Sequence, residues 1–185
     1  MPVIVSMKGG QRVNKDELQL KLLALRNGDR LAFEEIYNQL KAPVYTIILR
    51  ITQDKTLSED ILQEVFIKLY QSPPKPPIKN PRAYICQMAR NLAIDNVRRL
   101  PQFADLDSIE NIVYLPTEDF SMKMDIDHAM KTLPLQECQI VSLHINGDLK
   151  FREIADMMDI PLGTVLWKYQ RAIARLRSIL SGGAL

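Results

Sequence analysis

Apolar residues recur every three to four positions through most of the chain, which is the spacing of one face of an α-helix. The pattern predicts four helices between residues 15 and 99 and a second helical group from about Met122 to Leu180. It contains neither a convincing strand nor an internal repeat. We therefore expect an all-α protein with two small helical domains, 14–100 and 122–181, preceded by a flexible tail at 1–13.

Several predicted helices carry residues that favour helix starts. Asp29 has the side chain of an N-cap for the second helix, and Asn80, followed by a proline, has the same role for the fourth. Thr56 and Glu59 have the spacing of a capping box, which predicts that the third helix begins there. Pro43 falls inside the second helix, which it would kink or break.

Residues 151–180 have the most informative pattern. Ile154, Ala155 and Met158 form the apolar stripe of a short helix. Asp159 tolerates a left-handed backbone and Pro161 fixes φ at a helical value, so together they predict a tight turn. A longer amphipathic helix follows. A short helix, a turn and a second helix is the helix-turn-helix pattern, whose second helix lies in the major groove of DNA.

The outward face of that last helix has the chemistry of a DNA surface. No acidic residue follows Pro161. An ordinary helical hairpin with a solvated cationic face is the alternative, but the single sign of charge and an aromatic ring on the outward face favour DNA. Arginine and lysine there would meet phosphates and base edges. The candidate residues are Thr164, Trp167, Lys168, Arg171 and Arg175.

Charge is distributed unevenly although the net charge is only +2. Residues 1–100 contain 16 lysines and arginines against 10 acids, whereas residues 101–127 contain 7 acids against one base, Lys123. Residues 101–121 are therefore predicted to form an acidic, flexible linker between two basic domains. On the fourth helix, spacing places five residues outward: Gln87, Arg90, Asn91, Ile94 and Arg98.

The remaining composition narrows the class of protein. Cys86 and Cys138 are far apart in sequence and are interpreted as buried, reduced thiols of a cytoplasmic protein. His128 and His144 are expected at the surface or its boundary. The sequence contains no phosphate loop, no His/Cys cluster and no nucleophile–base set. It also has no long apolar run or apparent secretory signal. We expect no enzymatic activity, cofactor, metal or membrane insertion.

Three segments carry a family resemblance. Ser58–Tyr70 (SEDILQEVFIKLY) resembles the segment with which bacterial sigma factors bind the polymerase clamp. Asn80–Arg99 (NPRAYICQMARNLAIDNVRR) resembles the segment that opens and reads the −10 element. Leu133–Leu180 resembles the −35-binding module. These modules, with nothing sizeable between them, are typical of the extracytoplasmic-function (ECF) sigma factors.

The resemblance implies roles for particular residues. On the third helix, the contacts to the β′ clamp would be Asp60, Gln63, Glu64 and Ile67, and a merely solvated helix face is the alternative for the three polar residues. Facing the melted −10 strand would be Asn80, Arg82, Tyr84, Gln87, Arg90, Asn91 and Arg98. Tyr84 stands where the family usually has Trp, and either base stacking or bracing of the core would explain it. Leu166 and Trp167 replace a more usual polar pair on the −35 helix.

The predicted function is therefore that of a bacterial transcription initiation factor. The resemblance implies core RNA polymerase (β′ clamp and β flap), promoter DNA and an anti-sigma factor as partners. It also implies that the acidic linker threads the basic channel of polymerase, and a soluble tether between the domains is the alternative. The alternative is a stand-alone helix-turn-helix regulator that binds duplex DNA as a dimer. Such a regulator needs neither the acidic third helix nor the basic fourth one.

Overall fold

The computed structural model of the chain describes residues 15–75, 77–99 and 126–181. Within these ranges every regular element is an α-helix, which confirms the predicted all-α class. The predicted tail at 1–13 and the predicted acidic linker at 101–121 lie outside the described residues. The helices are α1 Lys15–Arg26, α2 Arg30–Thr52, α3 Lys55–Gln71, α4 Pro81–Arg98, α5 Ile126–Lys131, α6 Leu135–Ile145, α7 Phe151–Met158 and α8 Leu162–Leu180.

Helix α2 is the centre of the first domain, which we define as α1–α4. It packs against the other three helices of this domain. Its stripe of Ile36, Leu40, Val44 and Ile47 is almost entirely removed from solvent. Burying each such side chain contributes about 1.5–3 kcal/mol. The helix continues through Pro43, and the stripe is buried on both sides of this proline. Of the two predicted outcomes at Pro43, a kink or a break, the break is therefore wrong.

Helix starts in the first domain follow the predicted caps in part. The Oδ1 of Asp29 accepts hydrogen bonds from the backbone amides of Leu31 and Ala32, at 2.9 and 3.3 Å, as an N-cap does. The predicted capping box of Thr56 and Glu59 is wrong. The third helix begins at Lys55, close to the predicted start near Thr56, but its N-cap lies two residues earlier, because the carboxylate of Asp54 accepts from the backbone amide of Leu57 at 2.9 Å.

The second domain, α5–α8, contains the predicted helix-turn-helix. Its own core joins residues of α5, α6 and α8, among them Met130, Cys138 and Leu176. Helix α7 ends at Asp159, whose φ of 54° is the left-handed value that the sequence predicts, and α8 follows after Pro161. In the turn after α6, a Cβ on Gly147 would lie 2.4 Å from the carbonyl oxygen of Leu143, so this close turn requires glycine.

The two domains pack directly against each other. Helix α6 lies against α2, and α7 lies against α4. Leu135, Ile140 and Leu143 of α6 belong to the same apolar cluster as the stripe of α2. As a result residues 135–143 are all buried, between α2 on one side and α8 on the other.

Candidate nucleic-acid interface

The outer face of α3, which we define as Asp60, Gln63, Glu64 and Ile67, is open to solvent. The i, i+3, i+4, i+7 spacing brings the four residues onto one side of the helix. Glu64 forms an ion pair with Lys68 at 2.7 Å. The side chain of Ile67 is 51% exposed, so an apolar group lies among polar and acidic neighbours. This is the anatomy of a protein-binding surface with an apolar centre and a polar rim.

A cluster of aromatic rings supports this face from below. Phe66 lies on the buried side of α3 and meets Tyr37 and Phe33 of α2 edge to face, with ring centroids 4.8 and 6.4 Å apart. Phe33 also contacts Tyr70 at the end of α3, at 5.1 Å. Such ring pairs add about 0.5–1.5 kcal/mol beyond the area they bury. The face of α3 is therefore held on a well-packed base.

The start of α4 is joined to the start of α7 through Asn80. The Oδ1 of Asn80 caps α4 by accepting from the backbone amides of Arg82 and Ala83, at 3.0 and 3.1 Å, which confirms the predicted N-cap. Its Nδ2 donates to Oε1 of Glu153 at 2.6 Å. The other oxygen of Glu153 accepts from the backbone amide of Lys150 at 2.9 Å. Each side chain thus serves its own helix terminus and the contact between the domains.

Two arginines of α4 also bind the second domain. The Nε of Arg90 donates to the side-chain oxygen of the buried Gln139 at 3.1 Å. One Nη of Arg82 donates to the backbone carbonyl of Asn146 at 3.5 Å. The Nε of Arg82 is buried without a hydrogen-bond partner. Three of the residues predicted to face the −10 strand are therefore engaged by α6, α7 or the turn between them.

The other predicted −10 residues remain accessible to different extents. Gln87, Asn91 and Arg98 are exposed, and Tyr84 is partly buried. A groove of about 260 Å³ lies where α4 meets α7, and Asn80, Tyr84, Gln87, Glu153 and Met157 are among its lining residues. Tyr84 also packs on the apolar core. The predicted outward position of Ile94 is wrong, because that side chain is only 8% exposed and belongs to the core.

Helix α8 presents the predicted −35 face to solvent. Trp167 is 54% exposed, and Thr164 and Lys168 are partly exposed. The guanidinium carbon of Arg171 lies 4.9 Å from the centroid of the Trp167 ring, a cation–π distance. Arg175 lies one turn further along α8. The structure therefore places the five residues predicted from the sequence on one face of this helix.

Both arginines of this face bind an acid that the sequence analysis did not single out. The Nε of Arg171 lies 3.2 Å from Oε1 of Glu137, and one Nη of Arg175 lies 3.0 Å from Oε2. The side chain of Glu137 is only 3% exposed. The sequence contained one indication of this, because Glu137 is the only acid in the otherwise uncharged first two turns of α6. An acid that is buried there needs charged partners. Sequence spacing could not have identified those partners.

The two cysteines are buried, and their thiols remain protonated. Burial raises the pKa of the Cys86 thiol to about 12 and that of Cys138 to about 11. The Sγ of Cys138 lies 3.9 Å from the backbone carbonyl oxygen of Arg50, across the boundary between the domains. Among the described residues there is no group of three or more His, Cys, Asp or Glu side chains placed to hold a metal ion.

His144 occupies the boundary position that the sequence predicts for it. Its ring stacks on Phe151 with centroids 4.2 Å apart, and its Nδ1 lies 2.9 Å from the carbonyl oxygen of Leu149. Tyr169 packs against both rings, at 5.1 and 4.9 Å. These contacts fix the turn before α7 against α8.

No helix within the described ranges is long and apolar enough to cross a bilayer.

Comparisons with known proteins identify the class. Residues 36–101 match the family model for Sigma-70 region 2, and residues 123–176 match the model for Sigma-70, region 4. The ECF RNA polymerase sigma factor SigM of Bacillus subtilis is 26% identical over 159 residues, which cover 83% of this chain and 98% of SigM. SigK of Mycobacterium bovis is 24% identical over 185 residues, covering 94% and 98%.

Solved structures show the same fold. The sigma factor RpoE from Bartonella quintana, in complex with the anti-sigma factor NepR, superposes with a TM-score of 0.63 at 19% identity. That match covers 82% of this chain and 98% of RpoE. CnrH, in complex with the cytosolic domain of CnrY, gives a TM-score of 0.61 at 15% identity and covers 90% and 98%.

These matches define a sigma factor with regions 2 and 4. More particularly, the chain belongs to the ECF RNA polymerase sigma factors, as the sequence motifs predict. It is a transcription initiation factor whose partners are core RNA polymerase and promoter DNA. The predicted class and function are thereby confirmed.

Proposed function

We propose that this sigma factor divides its work among three helix faces. The outer face of α3 binds the β′ clamp of core polymerase, α4 captures the melted −10 strand, and α8 reads the −35 duplex while its domain rests on the β flap. The protein has no active site of its own and acts in the cytoplasm. It supplies recognition and helps melting, and polymerase supplies the chemistry.

The observation that carries this proposal is the outer face of α3. Ile67 is half exposed beside Asp60, Gln63 and Glu64, although α3 has a complete apolar face on its other side. A stand-alone DNA-binding regulator has no use for a second, acidic face, because acidic groups repel DNA. A basic helical clamp on polymerase is the complementary partner.

The contacts of α4 support a closed form of the free protein. Asn80, Arg82 and Arg90 cannot receive a DNA strand while they bind Glu153, Asn146 and Gln139. Promoter melting therefore requires the second domain to move away from α4. Because the outer face of α3 is exposed, polymerase can bind there first. Separate sites on the clamp and the flap would then hold the domains apart.

An anti-sigma factor is proposed as a further partner. RpoE and CnrH, two structures of similar fold, are both complexes, with NepR and CnrY respectively. A protein that covers the outer face of α3 would block polymerase directly. It would also keep the domains together, because polymerase could then no longer bind α3 and hold the two domains apart.

Reconstitution with core polymerase tests the proposal. We expect the purified chain alone to bind promoter duplex poorly, because two small DNA surfaces must be held at a fixed spacing by a scaffold. Added to core polymerase, it should direct specific initiation. Tight, sequence-specific binding of duplex DNA by a dimer of the free chain, with no effect on polymerase, would contradict the proposal.

A further inference from the structure

The DNA-facing side of α8 contains a buried acid beneath its two central arginines. Glu137 belongs to the first turn of α6, and its two carboxylate oxygens bind different guanidinium groups, Arg171 through Oε1 and Arg175 through Oε2. The arginines are 42% and 39% exposed, whereas Glu137 is 3% exposed. One nitrogen of each guanidinium group is therefore held by the buried carboxylate, while the exposed part of the group remains open to a ligand.

This geometry limits where the arginines can point. An exposed arginine normally samples many rotamers, and ordering it at an interface costs free energy. Here the carboxylate fixes Nε of Arg171 and one Nη of Arg175, and the ring of Trp167 covers a further side of Arg171. The Arg171 side chain is still 42% exposed, so the rest of its guanidinium group can face DNA, and paired guanidinium donors match the O6 and N7 acceptors of guanine.

The same carboxylate also lowers the positive charge of the surface. Two arginines and one glutamate carry a net charge of +1 where the arginines alone would carry +2. Phosphate binding without sequence preference depends on that charge, whereas base reading depends on donor positions. An acid under a DNA-binding face thus costs non-specific affinity and favours discrimination.

We infer that Glu137 is a positioning residue for −35 recognition, which orients Arg171 and Arg175 toward base edges and reduces their attraction to non-specific DNA. The inference rests on the proposed −35 role of α8. It assigns to Glu137 a function that is separate from holding the fold together. The two functions make different predictions for a variant that keeps the shape and removes the charge.

The test uses holoenzyme assembled from core polymerase and the full chain. Promoters with a randomised −35 segment are selected by binding to wild-type and E137Q holoenzymes, and the recovered base frequencies are compared. We expect E137Q to lower the preference at the positions read by the arginines by about tenfold, the size of one good base contact. Binding to promoters with a scrambled −35 segment should be retained or strengthened at low salt.

The salt dependence provides a second readout. Without the carboxylate, one more positive charge faces the phosphates, so the slope of log affinity against log salt should steepen by up to about one. E137D keeps the charge but withdraws the carboxylate by one methylene. It should lower the base preference without changing the slope, and it keeps the test decisive if E137Q fails to fold.

The outcomes separate this inference from the proposed function. If R171A and R175A leave base preference unchanged, α8 is not the −35 reader and both fail. If those variants lower the preference while folded E137Q and E137D match wild type, the inference alone fails. Equal loss of binding to selected and scrambled promoters would show a merely structural role. In the R171A/R175A background, E137Q should have no further effect on base preference.

Discussion

The outer face of α3 and the predicted −10 face of α4 belong to the same domain, yet one is exposed and the other is partly covered. Ile67 and its polar neighbours on α3 are open to solvent, over a base of packed aromatic rings. Asn80, which caps α4, and Arg90, in the middle of α4, are hydrogen bonded to the second domain. One face is ready for a protein partner, and the other is covered until something moves the second domain.

The polar contacts that cover α4 are of a kind that can be reversed. They are hydrogen bonds and a long ion pair of 3.9 Å between Lys79 and Asp156, whose side chains remain 93% and 73% exposed. Surface ion pairs of this kind contribute about 0–1 kcal/mol. The buried, unpartnered Nε of Arg82 adds a cost to the closed form. DNA or solvent can replace these partners. The apolar packing of α6 on α2 is a separate contribution, which binding to polymerase must replace when the domains move apart.

The largest effect is expected from reversing charge on the open face. Replacing Asp60 and Glu64 with lysine should weaken binding to core polymerase by more than about tenfold, because like charges would then meet across the interface. The fold should be retained, since neither side chain is buried in the core. Affinity for core enzyme, measured by titration with a labelled chain, checks this prediction.

A matched variant shows whether position or total charge is responsible. Glu34 and Glu59 are also exposed on the first domain and lie outside the outer face of α3. Replacing both with lysine makes the same change in net charge. Core binding close to wild type is expected for this control. A well-folded Asp60/Glu64 variant that binds core enzyme as tightly as the control would refute the assigned clamp face.

A smaller effect is expected from loosening the covered face. Replacing Gln139 with alanine and Glu153 with glutamine removes the acceptor for Arg90 and the charge that Asn80 binds, while the glutamine keeps an acceptor for the α7 terminus. Binding of a single-stranded −10 oligonucleotide by the free chain should strengthen about fivefold, because losing about 1 kcal/mol of net hydrogen bonding in the closed form corresponds to that factor.

The control for this experiment breaks a weaker contact at the same boundary. Replacing Asp156 with alanine removes only the exposed ion pair with Lys79, so strand binding should hardly change. If the Gln139/Glu153 variant binds the oligonucleotide no better than the Asp156 variant, the contacts to α4 do not restrict access to DNA.

The smallest effect is expected at the cysteines. Because burial raises the pKa of Cys86 to about 12 and that of Cys138 to about 11, both are almost fully protonated near pH 8 and should react slowly with a maleimide. Cys138 touches the first domain at Arg50, so separation of the domains should increase its labelling, whereas Cys86 should stay protected. Mass spectrometry after labelling with and without core polymerase measures the ratio of labelled Cys138 to labelled Cys86. Equal change at both cysteines would indicate general unfolding instead.

What the sequence could predict follows from the range of each interaction. The caps Asp29 and Asn80 and the left-handed turn at Asp159 depend on neighbouring residues, so their local pattern was sufficient. The N-cap of α3 was misplaced by two residues because two overlapping cap signals compete there, and Asp54 has the one that is used. Ile94 was misplaced because the packing of several helices, and not the spacing on one of them, decides its burial.

The contacts that define the two faces are of long range and could not be predicted. Asn80 meets Glu153 across 73 positions in sequence, and Arg175 meets Glu137 across 38. Helical periodicity indicates which side of a helix is apolar but not which helix covers it. The burial of α6 on both sides is a consequence of domain packing, and its short polar and apolar mixture gives no amphipathic signal for it.

The distance between Lys79 and Asp156 tests the central claim that the −10 face is covered in the free protein and released on polymerase. Both residues are exposed, so cysteines placed there can carry spin labels while the buried native cysteines remain unlabelled. A reference pair at Lys55 and Asp95, two exposed positions within the first domain, should give one distance in all states. We predict a short distance between positions 79 and 156 in the free chain and a long one in holoenzyme. A distance that is already long in the free chain, or that stays short in a holoenzyme active in initiation, would contradict the account.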